Sequence, residues 1–221
     1  MTARDHIEFE DWLDFMFDRD NEAWYIYDID DEPWLAKSDL VLTHFITLHM
    51  ASPDRLDRFT DEQIGWGLRA LYDGASVGEP LLADHVGVAR IQQAILSVPE
   101  LLGNLVVCRC PSDESDMSDP LSNTVSDFWD LVPLLHYLYR DGGYDNLIYQ
   151  AMLEEATRAL RIDHPVAHFH ALKGLGLFGR SGIKSVKADK TRVITDWLAT
   201  NPKIGPRVRH FAECAAFSEH F

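Results

Sequence analysis

The stretch FEDWLDFMF, residues 9–17, decides the class of fold. Phe9, Trp12, Leu13, Met16 and Phe17 recur at i, i+3, i+4, i+7 and i+8. A chain wound at 3.6 residues per turn puts all five on one face and leaves Glu10, Asp11 and Asp14 on the other. The same period runs outward from here. Ser38 opens a helix over Asp39 to about Met50, with Leu42, Phe45, Ile46 and His49 in one stripe. Ser52-Pro53 starts a short helix, with proline where a helix tolerates it. Thr60-Asp61-Glu62-Gln63 is a capping box in which threonine and glutamine satisfy each other's end of the chain, and Gly74 stops the helix that follows. Further helices are expected over 84–97, from Pro99 onward, over 124–139 with a break at Pro133, over 144–162, from Pro165 behind an Asp163 cap, over 189–200 and over 205–217. Between them, 110–123 reads as a mobile acidic loop, and Trp24 to Tyr27 as a short strand or extended segment.

These patterns predict an all-α chain. Helix starts near 84, 124, 165 and 204 recur at about 40 residues, the length of HEAT or armadillo helix pairs. The expectation is therefore an array of antiparallel helix pairs of HEAT/armadillo-like type, with a compact helical bundle as the alternative. One domain over residues 1–221 suits the length.

Charge narrows the partners. There are 36 Asp+Glu against 20 Lys+Arg, a net charge of −16, and the pI is near 4.9. Such acidity argues against nucleic acid and against anionic membranes, both of which require a cationic face. It is also uneven: residues 1–60 carry 15 acids and 5 bases, residues 61–160 carry 16 and 5, and residues 161–221 carry 5 and 10. The start of the chain lacks a signal-type apolar core, and apolar runs such as Leu101 to Val107 fall far below the ~20 residues that span a bilayer. Three cysteines, Cys108, Cys110 and Cys214, do not make a disulfide framework. A cytoplasmic location is the expectation.

Motifs with chemical potential were weighed against plainer roles. Gly174-Leu175-Gly176-Leu177-Phe178-Gly179 satisfies G-x-G-x-x-G, but a helix precedes it where a dinucleotide fold needs a strand. Close helix approach explains these glycines better. Gly179-Arg180-Ser181-Gly182-Ile183-Lys184-Ser185 departs from a phosphate loop, because Ile183 separates the last glycine from the lysine. His164 and His168, at i and i+4, share a helix face with His170 nearby. With neighbouring carboxylates they make a metal-dependent hydrolase the alternative function, although H-E-x-x-H is not formed. Cys108-Arg109-Cys110 has one spacer residue where zinc and redox motifs have two, and Cys214 reads as a small buried hydrophobe. No catalytic residue, metal ligand or cofactor is assigned.

Residues 20–34 carry the strongest binding signal. Trp24, Tyr25, Tyr27 and Trp34 sit among Asp20, Glu22, Asp28, Asp30, Asp31 and Glu32. Aromatic side chains supply binding area, and surrounding carboxylates steer a cationic partner. Trp24, Tyr27, Asp28, Asp30, Asp31, Glu32 and Trp34 are the expected partner-binding residues.

Residues 9–20 (FEDWLDFMFDRD), 59–74 (FTDEQIGWGLRALYDG), 167–179 (AHFHALKGLGLFG), 193–202 (VITDWLATNP) and 206–217 (PRVRHFAECAAF) together resemble an uncharacterised group of bacterial α-helical proteins with HEAT-like helix pairs. In that group an A-L-x-G-L-G element precedes the last helix pair. The resemblance implies the fold and no reaction or site residue. By analogy of type and charge, the expected function is a non-enzymatic cytoplasmic protein-binding protein. Its most concrete form is an immunity or antitoxin protein that neutralises a basic protein partner, such as a toxin domain, through its acidic surface.

Overall fold

The computed structural model describes residues 3–19, 37–72, 81, 84–114, 117–132, 134, 147–181 and 183–217. Every regular element among them is helical. Helix α1 (Ala3–Phe17) is followed by α2 (Asp39–Ala51), a 3₁₀ turn (Pro53–Leu56), α3 (Asp61–Tyr72) and α4 (Val88–Leu101). Then come α5 (Pro120–Ser126), α6 (Phe128–Leu131), α7 (Leu147–Ala159), α8 (Pro165–Phe178), α9 (Lys184–Thr200) and α10 (Pro206–Phe217).

The apolar stripe of α1 is the first stone of the core. Phe9, Trp12, Leu13, Met16 and Phe17 are all buried, and Trp12 and Phe9 meet Phe45 of α2 with ring centroids 5.7 Å apart. Alternate helices then stack in two rows. In one, α1 packs on α3, α3 on α5, α5 and α6 on α8, and α8 on α10. In the other, α2 packs on α4 and α4 on α7. Contacts of α8 with α7 and α9, and of α9 with α10, tie the rows together.

Glycine permits the first row to close up. A Cβ on Gly65 would lie 2.6 Å from the backbone of Pro120 and Leu121, and one on Gly67 would overlap the Phe17 ring. Two missing side chains on α3 thus admit α5 on one flank and α1 on the other. The capping box at the head of α3 forms as the sequence predicts: the Gln63 amide donates to Thr60 Oγ1 (3.2 Å) and the Thr60 amide to Gln63 Oε1 (3.0 Å).

Helix α8 is the centre of the molecule. From Val166 to Phe178 every residue except Lys173 is buried, as expected for a helix apolar around its whole circumference. Lys173 is the polar escape, reaching Asp127 (2.5 Å) and Asp130 (2.7 Å) at the end of α5 and on α6. Those carboxylates hold its ammonium pKa above the usual lysine value against the opposing pull of burial.

Several boundaries differ from the sequence expectation, each for a local reason. Helix α4 does not end at Pro99. It runs through the proline into a π turn (Leu102–Val106) and a final turn (Val107–Arg109); proline forfeits one backbone hydrogen bond, and the burial of Val98, Pro99, Leu101 and Leu102 holds the helix together across it. The resulting Val88–Arg109 rod is long and apolar enough to cross a membrane, although no such run was expected. Here it lies between α2 and α7 with Ile91, Ile95, Val98 and Leu102 buried.

Part of the supposed acidic loop is helix α5. Asp119 caps it by accepting from the Ser122 amide (2.8 Å), with Pro120 at the first helical position. Glu114, also placed in that loop, caps α10 from a distance, its two carboxylate oxygens accepting from the Arg207 and Val208 amides at 3.1 and 3.2 Å. The expected break at Pro133 appears as the end of α6 at Leu131, with Val132 already extended. Helix α4 starts at Val88 behind Gly87, whose φ of +85° suits glycine. Of the four starts expected at even intervals, the one at Pro165 holds, and the others fall at Val88, Pro120 and Pro206.

Candidate functional site

A cleft of about 980 Å³ opens among the described residues. Three segments make its walls: the C-terminal turn of α7 with the residues after it (Thr157, Leu160, Arg161, Asp163), one face of α9, and the turn Asn201 to Ile204. The α9 face follows from helical spacing, since Arg192, Asp196 and Thr200 are four residues apart and Val193 and Trp197 flank them. His168 of α8 closes the floor. The α2–α4–α7 row does not continue into a packed α9, and the cleft occupies that gap.

The cleft is amphipathic. Leu160, Val193, Trp197 and Ile204 supply its apolar lining. Trp197 is fixed by a 2.9 Å hydrogen bond from its indole N–H to the Leu160 carbonyl, and the His168 ring meets it edge-on at 5.0 Å. Burial holds the His168 pKa below the usual histidine value, with Asp163 opposing, so the ring is neutral at pH 7. Around this floor stand exposed Arg161, Lys203, Asp163 and Asp196, none with an ion-pair partner among the described residues, whereas Arg192 is held by Asp189 at 3.1 Å.

The three histidines of this region do not converge. His164 caps α8, its Nδ1 accepting from the Val166 amide at 3.3 Å, in place of the expected Asp163 cap. Its Nε2 donates to the Cys110 carbonyl at 3.3 Å. Both ring nitrogens are therefore engaged by backbone groups, while His168 turns to the cleft. His170 is fully buried between Val125 of α5 and Glu155 of α7. The Val125 carbonyl can only accept, so His170 Nδ1 carries a proton; one further proton is shared across the 2.8 Å contact between Nε2 and Glu155 Oε1. This pair, with Glu155 Oε2 buried and unpartnered, locks three helices together. Among the described residues, no group of three or more histidine, cysteine or carboxylate side chains is placed to hold a metal ion.

The remaining motifs are structural. Gly174 lies where a Cβ would meet the Trp129 indole at 2.5 Å, the close approach expected for the glycine-rich stretch. Gly179–Ser181 is a 3₁₀ turn that extends α8. All three cysteines are free. Cys110 is buried, with its thiol pKa pushed up to about 11 by that burial, and Cys214 is exposed beside His210 (3.8 Å) rather than buried. The expected partner-binding residues Trp24, Tyr27, Asp28, Asp30, Asp31, Glu32 and Trp34 lie outside the described residues.

Sequence reasoning missed Arg161, Trp197, Asp196 and Lys203 as a group. The i, i+4 spacing on α9 was legible, but the gap between α7 and α9 exists only in the fold. Compared with known proteins, the chain matches no family model, no curated protein and no solved structure.

Proposed function

We propose that this chain works by binding rather than by catalysis, as an immunity- or antitoxin-type protein that covers a cationic protein partner with its acidic N-terminal region. One observation supports this above others. Arg55 and Arg58 are taken up by Glu10 and Asp14, Arg109 by Asp57 and Asp61, and Arg158 by Glu100. Asp11 on the outer face of α1, Asp18 just past its end and Glu62 on α3 stay exposed, without an ion pair among the described residues. The acidic excess is thus a surface with unspent charge, and α1 leads directly into the acidic, aromatic residues 20–34. Unneutralised carboxylates raise the encounter rate with a basic partner, and aromatics give the contact its area.

Within this proposal, the two rows are a HEAT- or armadillo-like array of helix pairs, the setting is cytoplasmic, and the bacterial α-helical group is its kin. The test is capture of partners from the native host, with bound proteins identified by mass spectrometry. Reversing Asp28, Asp30, Asp31 and Glu32 to lysine should weaken capture of a basic partner and its salt dependence, with circular dichroism unchanged. Unchanged capture would reject these residues as the docking element, and a partner without a cationic face would reject the proposal.

A further inference from the structure

We infer that the cleft between α7 and α9 binds a small zwitterionic ligand with an apolar body, of the short-peptide class. The volume, about 980 Å³, is at the upper end of ligand sites and too large for one amino acid alone. Leu160, Val193, Trp197 and Ile204 offer such a body a desolvated floor, and the Trp197 indole is held in place by Leu160. The charges carry the assignment. Arg161 and Lys203 stand on one cleft with Asp163 and Asp196, and no ion pair forms among them. Opposite charges held apart around one cleft are not paired with each other by the protein itself. A ligand bearing both a carboxylate and an ammonium group compensates both: its carboxylate pairs with Arg161 and Lys203, its ammonium with Asp163 and Asp196. An organic anion alone would leave the two aspartates facing it, and an amine alone would face the two cations. His168, neutral and nearly buried, adds a hydrogen-bonding ring without adding charge.

The site is separate from the acidic face of α1, so its failure would leave the protein-partner proposal standing. Isothermal calorimetry on the full chain with a leucine–phenylalanine dipeptide tests it directly. The free dipeptide should bind with a stoichiometry of one, and both the N-acetylated and the C-amidated forms about tenfold more weakly or worse. Arg161→Gln and Asp196→Asn, both at exposed positions, should each weaken the free dipeptide about tenfold while leaving the melting temperature unchanged. Absence of heat with the free dipeptide overturns the inference. So does equal binding of the acetylated form, which would mark an anion site, or equal binding by both variants.

Discussion

Replacing His49 with leucine should make the protein more stable, and increasingly so in acid. His49 sits on α2 fully buried, stacked on Phe17 (centroids 5.2 Å) and edge-on to Trp12 (6.3 Å). Neither ring nitrogen has a hydrogen-bond partner. Each unsatisfied group costs about 1–3 kcal/mol, whereas the ring contacts that leucine would forfeit are worth about 0.5–1.5 kcal/mol each. His49→Leu should therefore gain about 1 kcal/mol near neutrality. Burial also lowers the His49 pKa to about 3 from an ordinary 6.5. The folded state then refuses a proton that the unfolded chain accepts, so stability falls as pH drops from 6.5 toward 3. At pH 5 this linkage amounts to about 2 kcal/mol, because each pH step below the unfolded pKa costs ~1.4 kcal/mol. With a urea slope of roughly 2.5 kcal/mol per molar, the parent's midpoint should fall by about 0.8 M between pH 7.5 and pH 5 from this group. His164 and His168, also held below the ordinary value by burial, add a loss of the same sign in both proteins. Urea titrations of parent and variant at the two pH values isolate His49 as the difference in slope. Parallel falls in midpoint would refute the account, as would a variant weaker than the parent at both pH values.

Two further substitutions probe the packing. Glu155→Leu strands His170 Nε2 in the core and should cost about 3 kcal/mol, a drop of roughly 6–12 °C in melting temperature, whereas Glu155→Gln can still donate to that nitrogen and should lose less than half as much. Equal melting temperatures for the two variants would show that the buried pair contributes nothing specific. Gly67→Ala drives a methyl into the Phe17 ring and the Met16 carbonyl and should cost about 1–3 kcal/mol by denaturant titration. Gly103→Ala, whose added methyl meets open space, is its control and should be neutral or better.

Legibility from sequence followed the range of the interaction. Phe9 to Phe17 announced α1 because a helix face is written in five apolar residues within about two and a half turns. Thr60 and Gln63 announced the start of α3 because both partners of the cap lie within one turn. Pro99 misled, since one lost backbone hydrogen bond does not end a helix whose flanking residues are buried, and that burial is decided by how α4 packs on α2 and α7. Residues 110–123 misled differently: the helix-opening pair Asp119-Pro120 sits among acids that read as loop, and the role of Glu114 as a cap depends on α10, more than 90 residues away. The site shows the same divide. His164 and His168 are one turn apart in the chain, yet one faces Cys110 and the other faces Trp197. The cleft itself is a space between helices, and no residue spacing encodes it.

The two-row stacking bears on how the chain is made. Each helix of a row rests on one already synthesised: α3 on α1, α4 on α2, α7 on α4 and α8 on α5, α6 and α7. When α8 leaves the ribosome, α5, α6 and α7 are already there to receive it, and only the surface that later meets α9 and α10 waits uncovered. The last pair, α9 and α10, attaches through α8, through each other and through a few polar ties, among them Glu114 to the Arg207 and Val208 amides and Trp197 to the Leu160 carbonyl. Their amides should exchange hydrogen before those of the buried α8.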